Sequence, residues 1–207
     1  MNDTPVDCGE FYFNKQMPVE ITQRNLPHWR QTGVYYFITF RTSDSLPKQV
    51  QNKLRHQQKA WLEKHCLDSD LVLDSLADDL KKEYYYLFSK RIHELLDSGY
   101  GNQDLLDFQI SQVVEKALKY FDGCRYILDA WVIMPNHVHL LMRTLGDNSL
   151  SAIMHSLKSY TAKEINKIRG RTGSFWAKES FDYIVRSYGQ LEKFREYIKS
   201  NPIKGRN

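Results

Sequence analysis

The sequence predicts an α+β protein in which helices pack on an antiparallel sheet, and three observations carry that expectation. Two stretches read as sheet: GVYYFITFR at 33–41, and CRYILDAWVIM followed by HVHLLMRTL across 124–145, all rich in β-branched and aromatic residues. The MPN between the second pair holds a proline that cannot donate to a ladder, so 124–145 reads as a hairpin. The elements then run strand, three helices, hairpin, helix, strand, helix, which is the order of an α+β layer rather than of regular βαβ units.

Taken in order, residues 1–33 are polar, with scattered aromatics and prolines, and read as an irregular arm. After the first strand, Pro47 suits a first helical turn, and apolar residues at 50, 54, 61 and 62 predict a helix ending near Cys66. A second helical stretch spans 74–97 and stops at the turn signal DSGYGN; a third, FQISQVVEKALKYF, covers 108–121 before Asp122-Gly123. Beyond the hairpin, a helix is expected over 149–169, with a serine or asparagine cap and a glycine stop. A strand lies near the end of 174–187, and SYGQLEKFREYIKSNP forms a last helix halted before Pro202. The whole, 1–207, reads as one domain with an arm at 1–33 and a helical insertion at about 47–101.

Composition narrows the class. No apolar run is long enough for a membrane span, and the acidic, polar N-terminus is unlike a signal peptide, so the expected location is cytoplasmic. Cys8, Cys66 and Cys124 match no zinc or redox spacing and read as reduced thiols. Net charge is only +4, yet residues 143–207 carry 13 basic side chains against 6 acidic ones, while 67–107 carry 4 against 10. A basic last third suits contact with phosphates, and it suits a solvated basic face equally well.

The sharpest motif is NHVHLL. On a strand, residues two apart share a face, so His137 and His139 project together, as two nitrogen ligands to one metal or as a hydrogen-bonded pair. A third ligand decides between these. On the helix at 149–169, Glu164 falls about 20° from the centre of the apolar stripe, where an ionised carboxylate needs a cation or hydrogen-bond donors. Tyr160 lies one turn earlier at the stripe's polar, basic edge, where it is either a packing residue or a nucleophile. Together these parts suggest a divalent ion polarising a phosphodiester while the Tyr160 phenol attacks phosphorus in line.

NHVHLL, then KSYTAKEIN, then FWAKESFDYIVR, with the arm GEFYFN…RNLPHWRQTGVYYFITFR, resemble the transposases of the insertion-sequence 200 type, in the branch associated with repetitive extragenic palindromes. The resemblance implies a ferredoxin-like antiparallel sheet with packed helices, His137 and His139 as ligands to Mg2+ or Mn2+, and Tyr160 as the single nucleophile. It also implies a third ligand one turn after the tyrosine, often a carboxamide, which falls on Glu164. Relatives cut single-stranded DNA beside a hairpin through a 5′-phosphotyrosine, freeing a 3′-hydroxyl, and form homodimers with shared active sites. Lys158, Lys163, Lys167, Arg169, Arg171 and Arg186 become expected phosphate contacts, and Trp176 a stacking surface for unpaired bases. Two rival readings remain: a domesticated protein that holds hairpin DNA or RNA without cutting, and a hydrolase in which the histidines activate water.

Overall fold

A computed structural model of the chain describes residues 11–23, 27–67 and 77–201. The arm is more ordered than its composition suggests: β1 (Glu20–Gln23) pairs antiparallel with β2 (Pro27–Arg30). Pro27 is the first residue of its strand, a place where a missing N–H costs no ladder bond. Cys8 and the tail from Pro202 onward lie outside the described residues, as does the start of the helical stretch expected at 74–97.

The main sheet has β3 (Tyr35–Arg41) and β5 (His137–Thr144) at its centre, flanked by β4 (Tyr126–Ile133) and β6 (Phe181–Ile184), in the order β4-β5-β3-β6 with every pair antiparallel. Residues 134–136 make the hairpin turn, closed by Met134 N–H donating to the His137 carbonyl at 2.8 Å. With α4 (Phe108–Tyr120) between β3 and β4, and α5 (Leu150–Arg169) between β5 and β6, the path is the ferredoxin-like one. α6 (Tyr188–Ser200) follows β6.

Helix ends obey their caps. The Asp107 carboxylate accepts from Gln109 N–H at 2.8 Å, and the Ser149 hydroxyl from Ala152 N–H at 3.2 Å, while Gly170 closes α5 at φ 58°, a left-handed conformation glycine adopts without steric cost. Burial does the larger part: Ile153, Leu157 and Ile165 contribute roughly 1.5–3 kcal/mol each, against a few tenths for propensity differences along the same helix.

The sheet separates two cores. On one face Val138, Leu140 and Met142 of β5 pack with Tyr36, Ile38 and Phe40 of β3 against α4 and α5. On the other, Leu141 and Phe37 pack with Val132, Leu191 and Ile198, so α6 covers this side. His137 and His139 share the parity of Leu141 and therefore face the α6 side.

The insertion between β3 and α4 comprises α1 (Lys48–Lys64), then α2 (Asp78–Tyr84), a wide π-type turn at Tyr85–Lys90, and α3 (Arg91–Asp97). Trp61, Tyr84 and Phe88 give it a small aromatic core of its own. Its exit is fixed at Gly101, where φ is +93° and an added Cβ would press Asp44 at 3.1 Å, so a larger residue is strained in backbone and crowded at once.

Candidate metal centre and active site

His137 and His139 are fully buried, with their Nε2 atoms 3.0 Å apart. What holds each ring determines what it can do. Asn136, also fully buried, donates its amide hydrogens to the carbonyls of Leu96 at 3.2 Å and Tyr100 at 2.7 Å. Its Oδ1 must then accept, so the His137 Nδ1–H donates to it at 2.7 Å and His137 Nε2 is a bare lone pair. The neighbour of His139 Nδ1 is the Thr39 hydroxyl at 2.8 Å, a group that both donates and accepts. His139 can therefore turn a bare Nε2 toward the same point without losing a bond, which is the tautomer a metal ligand needs.

Burial favours neutral rings. It lowers the His137 pKa to about 3, with the nearby His93 adding to the shift, and it takes His139 well below the ordinary histidine range. A proton is thus a poor bridge between two facing nitrogens, whereas a divalent cation satisfies both.

Oxygen donors complete the set. Asp97, the last residue of α3, brings a carboxylate oxygen to 3.7 Å from His137 Nε2, and one donor atom each from Asp97, His137 and His139 lie within 4.8 Å of one another. On α6, Tyr197 places its hydroxyl 3.4 Å from His139 Nε2, its ring edge-on to that imidazole. Asn201 stands one turn after Tyr197, buried, its side-chain nitrogen without a hydrogen-bond partner. Two imidazoles and a carboxylate around one point fit a divalent ion that accepts mixed nitrogen and oxygen ligands.

Further neighbours enclose the centre. His93 of α3 meets the Thr39 hydroxyl at 3.3 Å and the His139 ring edge-on, and burial lowers its pKa to about 4. Arg41 is the register partner of His137 and so lies beside it on the same face; burial lowers its pKa, though a guanidinium keeps its charge.

The structure does not bring Tyr160 and Glu164 to this centre. α5 packs on the opposite face of the sheet, among the residues that alternate with the two histidines. Glu164 does find the cation its position requires, but that cation is Lys167, at 2.9 Å on its own helix. Tyr160 is 56% exposed and lines a cleft toward α4.

Of the expected DNA contacts, Trp176 is buried and its indole N–H donates to the Thr161 hydroxyl at 2.8 Å, so its ring is core rather than a surface for bases. Lys158 is turned inward onto the carbonyls of Ala177 and Lys178, and Lys167 holds Glu164. Arg169 and Arg171 pair with Asp104, which joins the end of α5 to the start of α4. Lys163 and Arg186 remain at the surface.

Sequence reasoning missed Tyr197, Asn201 and Asp97. A signal for the first two was present: YIKSN carries a carboxamide one turn after a tyrosine. Asp97 had none, since an acid at the end of an inserted helix is ordinary.

A ferredoxin-like sheet with two ligand-competent histidines on its central hairpin strand, facing a tyrosine helix, defines an α+β domain with a candidate metal-binding face. Residues 101–201, just under half of the chain, match the family described as transposase IS200 like. No curated protein matches the chain. Among solved structures it is similar to one described as a REP-associated tyrosine transposase bound to a REP hairpin, at 15% identity and a TM-score of 0.50, covering 88% of this chain and 74% of that one. At that identity the likeness is one of fold.

Proposed function

We propose that this protein is a metal-dependent, single-tyrosine DNA strand transferase acting on hairpin-bearing single-stranded DNA, with Tyr197 as nucleophile and His137, His139 and Asp97 holding the ion. The observation that carries the reading is the approach of the Tyr197 hydroxyl to His139 Nε2, at 3.4 Å, where that nitrogen also faces His137. The hairpin substrate is taken from the solved relative, whose description names a REP hairpin.

A bound divalent ion would supply Lewis-acid polarisation of the scissile phosphodiester. Tyr197 Oη attacks phosphorus opposite the 3′ oxygen, so an O–P bond forms to the tyrosine as the P–O3′ bond breaks. The phenol gives up its proton and the departing 3′ oxygen takes one. Phosphodiester energy is retained in the protein link, and the reverse step rejoins strands. Arg41 supplies a fixed positive charge beside the site for the phosphate.

Incubation with hairpin oligonucleotides and Mn2+, resolved on a denaturing gel, tests the assignment. A protein–DNA adduct is expected from the parent and from Tyr160→Phe, and none from Tyr197→Phe. An adduct lost in Tyr160→Phe but kept in Tyr197→Phe would return the nucleophile to α5. No adduct from the parent on any hairpin, with metal bound, would leave a hairpin-binding protein that does not cut.

A further inference from the structure

On the sheet face away from the histidines, α4 and α5 part around a cleft of about 480 Å3 near the end of α4. Ligand-sized pockets run from about 300 to 1,000 Å3, so the cleft has room for a small planar group. Tyr120 from α4 and Tyr160 from α5 both line it, and they are 76% and 56% exposed. The Tyr120 ring stands edge-on to Phe121, 4.6 Å between centroids, and both tyrosines leave much of their surface to solvent.

The charged groups of the lining itself are cationic, and the nearest carboxylate the structure sets against it is Asp122, beside Tyr126. Lys116 and Arg125 are the charged residues in the lining, and no carboxylate is among them. Arg125 lies with its guanidinium 3.8 Å from the centre of the Phe121 ring, which holds it flat. Ser156 adds a hydroxyl to the wall. The wall is largely apolar, with Ala117, Phe121, Ile153 and Leu157, and the two cations beside it are what favour an anionic strand over a partner helix. Two exposed aromatic faces with two cations suit a base and the phosphates on either side of it.

We infer that this cleft binds an unpaired nucleotide of a single strand, with its base against Tyr120 and Tyr160 and its phosphates near Lys116 and Arg125. The inference rests on the proposed function only for the class of ligand, single-stranded nucleic acid; it does not depend on which tyrosine cuts. It places a binding site on the sheet face opposite the cutting centre, so a strand that engages both must pass around the sheet rather than across one surface.

Fluorescence anisotropy with a labelled, hairpin-free oligothymidylate in EDTA, so that no metal centre contributes, reads the cleft by itself. Tyr120→Ala and Tyr160→Ala are each expected to weaken binding about tenfold, since stacking of one base is worth about 1–3 kcal/mol. Tyr120→Phe keeps the ring and binds close to the parent. Lys116→Gln and Arg125→Gln lower the salt dependence as well as the affinity. Thermal melts confirm that these surface variants fold, and an oligonucleotide carrying 5-iodouracil is expected to crosslink to Tyr120 or Tyr160. Parent protein that does not bind the probe, variants that bind it like the parent, or crosslinks that map elsewhere overturn the inference. Loss of self-association in the alanine variants, with probe binding unchanged, would make the cleft an interface between copies instead. Adduct formation on the same preparations is scored separately through Tyr197, so either reading can fail without the other.

Discussion

At the scale of single residues, neutrality of the buried imidazoles has a measurable consequence. In an unfolded chain a histidine takes up its proton near pH 6.5. In the fold, burial holds His137 to about 3 and His93 to about 4. Between those values the unfolded chain binds more protons than the folded one, so the stability these residues permit is complete above about pH 6.5. It falls as pH drops, by about 1.4 kcal/mol per pH unit for each such group. EDTA-treated protein is expected to lose Tm steadily as pH falls from about 6.5 to about 4.5; a flat profile over that range would mean the rings titrate normally. The histidine pair was legible in the sequence because period-two spacing fixes a shared face. Its hydrogen-bond partners were not, since the role of Asn136 depends on two carbonyls some 40 residues earlier in the chain.

At the scale of elements, two helices competed for the tyrosine, and the pattern of β5 explains why reading them was hard. Seven of the eight residues of β5 are buried, on both faces of the sheet, so its sequence does not say which helix covers which side. α5 follows β5 directly and carries a tyrosine and a carboxylate one turn apart, yet the chain takes it to the face of Val138, Leu140 and Met142. The order of strands and helices, the hairpin and the caps of α5 were readable, being local, whereas the ferredoxin-like sheet was expected only from the family resemblance. Assigning α6 to the histidine face needed the pairing of β6 with β3, a contact between segments about 145 residues apart.

What seats α6 there is a bulge in β4, where the register shifts between Leu128 and Ala130. The extra residue, Asp129, accepts a two-pronged bond from Arg195 at 2.7 and 2.5 Å, two positions before Tyr197. This fork raises the Arg195 pKa and holds Asp129 nearly buried. Asp129→Ala is expected to cost about 1.5–3 kcal/mol in urea unfolding and to slow adduct formation more than it weakens metal binding, because the proposed nitrogen ligands sit on β5. Equal losses in both would show that the fork serves the whole fold rather than the seating of the tyrosine.

At the scale of the whole molecule, the insertion after β3 is joined to the site it might have been thought to decorate. Its last helix supplies Asp97 and His93, so an acidic segment within a basic protein ends as a local source of negative charge for a cation. Asp97→Asn keeps the shape and removes the charge. Its Mn2+ affinity, measured by calorimetry, is expected to fall about 10- to 100-fold, the range seen when a single group around a metal is altered, with Tm in EDTA unchanged. Unaltered affinity would leave the ion to the histidines and Asn201.

The amide of Asn136 bonds to the carbonyls of Leu96 and Tyr100, at the insertion's last turn. A shortened protein made by cutting out 48–100 and closing the gap with a short loop would strand that amide in the interior. The amide that accepts from the His137 ring would then lose the two carbonyls that fix its orientation, although every residue of the histidine motif had been kept. Whoever trims this chain to its sheet and flanking helices must therefore redesign position 136 together with the junction, because the insertion and the hairpin turn form one unit of design.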